Sequence, residues 1–242
     1  MPSDQAHRPE GAPVGRRVVL GLLGLGALGI VGGSTLEKGL SAVLGPLETR
    51  DPTGLVGLLP AGETFRFYSV TGTVDAPTDR AYRLTVSGLV GQPARHTLED
   101  LGAMPQTRLV RDFQCVTGWR VRQVPWVGVQ LGHVLDLAGP TRRATAVRFS
   151  SFDGSYTESL TLEQARRPDV LVALRMLDGP VSHDHGGPVR LYVAPMYGYK
   201  SIKWLSGIEL TDDVRPGYWE DRGYSVDGWV GSSNGRTDEP IR

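Results

Sequence analysis

The amino-acid sequence predicts an α+β domain of mixed, β-rich character, and three observations carry that expectation. The chain of 242 residues contains 32 glycines and 17 prolines, a punctuation density that suits many short elements joined by tight turns. The stretches Phe65–Val70 and Tyr82–Val86 alternate and are rich in β-formers. The two best helix starts, at Thr97 and Thr161, each open only a short stretch before a proline. Lys plus Arg and Asp plus Glu both number 26, so no global charge recruits nucleic acid, and any basic patch has to be local.

The first 36 residues stand apart. Residues 1–15 are polar, Arg16-Arg17 follows, and an uncharged, glycine-rich apolar run then extends to Glu37. This is the shape of an export signal, and the paired arginines suit the route that carries folded proteins across a membrane. With no A-x-A site after it, the segment from Val18 to Leu36 is also long enough to stay as an anchor. The expected organisation is a twin-arginine-like signal or membrane anchor over 1–36, a linker over 37–61, the main domain over 62–212, and a C-terminal wrap or tail over 213–242.

Within the main domain, Phe65–Val70 and Tyr82–Val86 alternate as strands, and Thr97-Leu98-Glu99-Asp100 caps a short helix that stops near Pro105. Thr107–Phe113 reads as a strand. Gln130–Ala138 presents Leu131, Val134, Leu135 and Ala138 on one helical face. Ala146–Phe152 turns at Asp153-Gly154 and returns over Ser155–Leu160. Thr161 and Gln164 form a second capping box, and Pro168 closes that helix. Val170–Leu174, Val189–Val193, Ile202–Leu205 and Ile208–Leu210 complete the expected strands. No internal period of repeat length occurs.

Three clusters carry chemistry. Cys115 is the only cysteine, so it has no partner for an internal disulfide, and it falls where a strand meets the turn Thr117-Gly118. A buried packing role, nucleophilic attack and metal ligation are all open to it. The second cluster, His183-Asp184-His185, precedes Gly186-Gly187-Pro188-Val189-Arg190; with Cys115 the histidines could build a zinc site, or could simply line a polar turn. The third, Tyr197-Gly198-Tyr199-Lys200-Ser201-Ile202-Lys203-Trp204, sets a glycine among donors suited to a phosphate, without the spacing of a Walker loop or a dinucleotide fingerprint.

Taken together, QCVTGWRVRQVPWVGVQLGHVL around Cys115, DHGGPVRLYVAP from Asp184 and YGYKSIKWLSGIEL from Tyr197 resemble the catalytic domain of the sulfite oxidase superfamily of molybdopterin enzymes, over roughly Phe65 to Leu210. The resemblance implies a sulfite-oxidase-type molybdopterin-binding fold, a molybdenum-molybdopterin cofactor, and Cys115 as the thiolate on the metal. It implies His185 and Arg190 as ligands of the pterin and its phosphate, and Ser201, Ile202 and Lys203 as the segment closing over that phosphate. Tyr68 corresponds to an aromatic residue near the pterin, and Ser150 to a further contact by spacing. Arg120 and Arg122 are the candidates for an anion pocket, Arg120 for a catalytic role, and Trp119 and Trp126 for its walls. In size the chain is similar to single-domain bacterial members, including the catalytic subunits of periplasmic methionine sulfoxide reductases. It departs from those where Phe65-Arg66-Phe67-Tyr68-Ser69 replaces their Asn-Asn-Phe-Tyr-Glu and where His185 replaces an asparagine.

The expected function is therefore oxygen-atom transfer coupled to two-electron transfer on a small substrate, of sulfur-oxo type or one that the sequence leaves open. Electrons would pass to or from a separate protein, a membrane cytochrome or a quinone-linked partner, on the extracytoplasmic side. Two other classes fit the same residues: an anchored binding module that keeps the fold without catalysis, and a thiol-based redox enzyme working at Cys115.

Overall fold

The computed structural model describes residue 65 and residues 79–117 and 119–231. The signal or anchor segment, the linker, Tyr68 and most of the expected Phe65–Val70 strand lie outside the described residues. Among the described residues no helix is long and apolar enough to cross a membrane.

Two sheets dominate. The first has the order β2-β1-β10-β5-β6, built from β1 (Leu84–Gly88), β2 (Ala94–His96), β5 (Ala146–Ser151), β6 (Thr157–Thr161) and β10 (Leu205–Thr211). β1 and β10 run parallel and the other pairs antiparallel, so the sheet is mixed. In the second, β3 (Gln106–Gln114), β4 (Arg120–Gln130) and β7 (Val170–Met176) lie in order, and β8 (Gly179–Pro180) and β9 (Arg190–Val193) both pair with β7. Among the described residues three α-helices, α1 (Leu98–Ala103), α2 (Leu131–Ala138) and α3 (Leu162–Ala165), fill in around them.

Local chemistry explains most element ends. The side chain of Thr97 accepts from the Asp100 N–H while Asp100 reaches back to the Thr97 N–H; Thr161 and Gln164 repeat that reciprocal cap on α3. Helix α2 turns its apolar face (Leu131, Val134, Leu135 and Ala138) into the core and ends on Gly139 in the left-handed conformation. The main core also takes Leu84, Val86, Phe149, Val172 and Leu191. A second cluster, with Phe113, Trp126, Met176 and Tyr192, lies beneath the Cys115 loop. Trp126 and Tyr192 stack there at 4.1 Å.

One expectation is corrected, and one strand is added to those expected. Ile202–Leu205 is not a strand: β10 runs unbroken from Leu205 to Thr211, and Ile202–Trp204 belong to the loop before it. The reason is at Trp204, whose φ of 54° is incompatible with extended pairing. The eleven-residue strand β4 went unread because it contains Pro125, which normally demotes a central strand. Here Pro125 falls just past the last β4–β7 pair, Trp126 with Met176, and its carbonyl accepts from Leu177 N.

Candidate active site

One cavity of about 450 Å³ opens where four segments meet: the loop after β3, the loop before β9, the loop before β10 and the C-terminal segment around Tyr218. Cys115 follows β3 directly, at the strand-to-loop corner expected from sequence. Its backbone N–H donates to Trp119 O at 2.9 Å, which closes the loop, and its Sγ lies 3.2 Å from Thr117 Oγ1. The half-buried thiol lines the cavity with Val116, Thr117 and Trp119.

Another part of the lining is cationic. Arg190 opens β9 with its side chain buried, its guanidinium 5.5 Å from both the Phe113 and the Trp126 ring centres. Nη1 donates to His185 O (2.7 Å) and Nη2 to Ser201 O (2.9 Å), so one side chain ties the loop before β9 to the loop before β10. No carboxylate among the described residues forms an ion pair with it, and burial lowers its pKa to about 10. Lys203 donates from Nζ to Asp184 O at 2.8 Å and lies 4.9 Å from the Trp204 ring centre; burial first, then the Arg190 charge, lowers its pKa to about 7. The same two causes, with Lys203 adding to them, hold His185 below the usual histidine range, so its imidazole is neutral at neutral pH. None of the described lining residues is acidic.

Ser201 and Ile202 complete this wall. Ser201 Oγ accepts from Val193 N at 2.9 Å and the Ile202 carbonyl from Leu191 N at 2.9 Å, so both are latched to β9. Trp204 holds its left-handed backbone because three bonds over-determine it: its N–H to Gly186 O, its carbonyl from Phe152 N, and its indole N–H to His183 O.

Five sequence-predicted residues therefore converge with Cys115: His185, Arg190, Ser201, Ile202 and Lys203. Others do not. Arg120 begins β4, where its Nε donates to Gln114 Oε1 at 2.6 Å and its Nη1 lies 3.5 Å from Asp112, so it braces the base of the Cys115 loop and lies outside the cavity lining. Ser150 sits on β5 beside Gly207, in a separate polar cleft of the first sheet. Trp126 is buried beneath the cavity instead of walling it. Lys200 points inward, away from any phosphate, and Gly198 makes room for a ring instead of a ligand: a Cβ there would fall 2.3 Å from Phe113 Cζ. Cys115, His183 and His185 form no metal-ligand cluster among the described residues.

The side of the cavity missed from sequence is aromatic. Tyr156 and Tyr199 join Tyr218, Trp219 and Tyr224 of the C-terminal segment, in edge and stacked contacts 5.1–5.5 Å apart from Tyr156 through to Tyr199. The Gly217-Tyr218-Trp219-Glu220 sequence was the available signal, read only as a wrap.

Residues 71–219 match the family described as oxidoreductase molybdopterin binding domain. The chain belongs to that family. It is a molybdopterin-dependent oxidoreductase domain, and molybdenum-molybdopterin is its cofactor. It is 34% identical over 147 residues to the uncharacterized oxidoreductase YuiH of Bacillus subtilis, a match covering 61% of this chain and 74% of that one. It is 29% identical over 175 residues to the protein-methionine-sulfoxide reductase catalytic subunit MsrP of Campylobacter jejuni, covering 66% and 59%, and 29% identical over 181 residues to the sulfite oxidase of Arabidopsis thaliana, covering 61% and 46%. The chain thus spans only about half the length of several relatives. The sulfane dehydrogenase SoxCD of Paracoccus pantotrophus shares the fold, with a TM-score of 0.52 and 22% identity over 58% of this chain and 40% of its own.

The residues fit the cofactor. Among the described residues, a buried guanidinium with no carboxylate ion pair, a second cation beside it and a soft sulfur donor share one cavity whose described lining has no acidic residue. Phosphate and metal demand that donor set.

Proposed function

We propose that this chain is an extracytoplasmic oxidoreductase that moves an oxygen atom to or from a small, uncharged sulfur-oxo substrate, exchanging two electrons with a separate protein. The observation that carries this reading is the composition of one cavity: Cys115 shares its lining with the cations Arg190 and Lys203 and with the aromatic residues Tyr156, Tyr199, Tyr218, Trp219 and Tyr224. When bound, molybdenum-molybdopterin supplies two-electron redox chemistry and oxygen-atom exchange.

In this reading Cys115 ligates the metal. Its thiolate is a soft donor beside the Thr117 hydroxyl, on a backbone fixed by the Cys115 N–H donating to the Trp119 carbonyl. Arg190 and Lys203 offset the pterin phosphate, with Ser201 and Ile202 closing over it and the neutral His185 offering one donor and one acceptor. Tyr68 is proposed beside the pterin on the resemblance alone. The aromatic wall excludes water and encloses substrate. Because every described cation in the lining belongs to the phosphate side, an uncharged S-oxide suits the remaining space better than an anion such as sulfite. The twin-arginine-like sequence supports a position outside the cytoplasm, where a membrane cytochrome or quinone-linked protein would exchange the electrons.

Metal analysis of purified full-length protein tests this reading. Molybdenum near one per chain together with dye-linked turnover of a sulfoxide is the expected result. Absent metal with a rapidly alkylated Cys115 would favour the thiol-based alternative, and stable, metal-free, inert protein the binding module.

A further inference from the structure

The aromatic wall is carried by a segment held by its own turn bonds, with Arg222 N and Tyr224 N donating to Trp219 O and Gly223 N to Glu220 O, and by a few ties to the rest of the domain, among them the Tyr199 hydroxyl donating to Ser225 O at 2.7 Å. Tyr218 N donates to Thr157 O at its start, and at its end Tyr197 N donates to Gly228 O and Val230 N to Pro195 O. Between these ends lies Trp219, and beside it Glu220, whose side chain is buried. Lys200 meets it there.

The Lys200 ammonium donates to Glu158 Oε1 at 2.5 Å, Glu220 Oε1 at 2.8 Å and Ser159 O at 2.9 Å, so all three of its protons are used. None of the three side chains in this ion cluster is more than 1% exposed. Glu220 Oε2 also accepts from Gly217 N at 3.2 Å, which sets the turn that aims Tyr218 and Trp219. The ammonium thus joins three elements: β6 through Glu158, the C-terminal segment through Glu220, and, through its own backbone, the turn Gly198–Lys200 that brings Tyr199 to the cavity. Two carboxylates facing one buried cation would leave a net negative charge. Burial, and Glu220 beside it, hold the Glu158 carboxyl well above the usual range, against the opposing pull of the Lys200 charge.

Lys200 is not part of the cavity lining. Stability alone is a weak reason for a buried ion cluster, since apolar replacements often serve as well; fixing one arrangement among several is the better attested use. We propose that Lys200 is a positioning residue for substrate, latching the segment that carries Tyr218, Trp219 and Tyr224 against β6 and so setting the size and shape of substrate the cavity accepts. The proposal rests on the reading of this cavity as the active site.

Two variants of the molybdenum-loaded protein test it. Lys200→Met removes the ammonium. Gly228→Ala leaves every charge in place, but at φ +52° its Cβ would fall 2.7 Å from Lys200 Cγ and 3.0 Å from the Tyr199 hydroxyl, so the segment must shift off the latch. Hydrogen exchange without substrate should show the 217–224 amides exchanging about tenfold faster in both variants, with β7 and β10 still protected. With a reduced viologen dye as electron donor, KM for a methyl aryl sulfoxide should rise about tenfold, while kcat, the KM for dimethyl sulfoxide and the molybdenum paramagnetic-resonance signal stay close to the parent values. Unchanged 217–224 exchange with an active parent sinks the proposal alone. So does exchange rising across the whole domain in both variants, or a fall in kcat for both sulfoxides with an altered metal signal. A parent protein that turns over neither sulfoxide sinks the functional reading and the proposal with it.

Discussion

Replacing Arg190 by methionine separates what the guanidinium does for the fold from what it does for the cofactor. Without cofactor, the charged form is penalised: a pKa lowered from 12.5 to about 10 corresponds to about 3 kcal/mol at ~1.4 kcal/mol per pKa step. Against this stand the bonds to the His185 and Ser201 carbonyls, about 1.5–3 kcal/mol each from a charged donor. Contacts with the Phe113 and Trp126 rings add roughly 0.5–1 kcal/mol each. Methionine forfeits the bonds but also ends the penalty, and keeps sulfur against both rings. The cofactor-free variant should therefore lose at most about 3 kcal/mol of stability. Cofactor binding should suffer separately, because a charge-assisted bond to phosphate of about 1.5–3 kcal/mol is lost, equivalent to roughly tenfold to 150-fold in affinity. Thermal melts of cofactor-free protein and molybdenum-to-protein ratios after extensive dialysis measure the two effects independently. A variant that keeps a full complement of molybdenum refutes the phosphate assignment; one that unfolds outright shows that Arg190 serves the fold first.

Cys115→Ser should retain fold and pterin yet lose turnover, since a hard hydroxyl replaces a soft thiolate; wild-type rate with an unchanged molybdenum resonance spectrum would exclude Cys115 as ligand. Anion binding by cofactor-free protein should weaken as pH rises through about 7, because the depressed Lys203 pKa means its charge is present below that pH and lost above it. Titration calorimetry with inorganic pyrophosphate should accordingly show proton uptake at pH 8 in the parent and none in Lys203→Met, and equal proton uptake in both would assign the effect elsewhere. Changing Arg16 and Arg17 together to lysine keeps the positive charge of the segment, so an ordinary anchor would still orient correctly. The expected outcome is folded, metal-bound protein retained in the cytoplasm, checked by fractionation; normal export would reject the twin-arginine reading.

Local chemistry was legible in the sequence wherever neighbours along the chain decide the outcome. Reciprocal caps at Thr97 and Thr161 depend on residues three apart, the α2 face on a 3.6-residue period, and the β5–β6 hairpin on Asp153-Gly154, so each could be read in place. The corner position of Cys115 followed from the strand before it and the turn after it. Arg190, Ser201, Ile202 and Lys203 lie within two short motifs, and motif order carried them to one place.

Tertiary structure decided everything that depends on direction and long-range packing. A lysine in a donor-rich loop reads as a phosphate ligand, yet Lys200 turns inward because Glu158 and Glu220, 42 and 20 residues away, offer a buried counter-charge that no local pattern announces. Spacing placed Ser150 near the cofactor, but its strand belongs to the first sheet and faces another cleft. Trp204 ends the expected Ile202–Leu205 strand only because contacts from Gly186, Phe152 and His183 hold its backbone left-handed. Tyr218, Trp219 and Tyr224 become a wall of the cavity through the same cause: their segment is laid across β6 by bonds to residues far back in the chain. Short-range propensities are written residue by residue, whereas the free energy that buries an ion cluster or closes a cavity is shared among elements that meet only once the sheets have assembled.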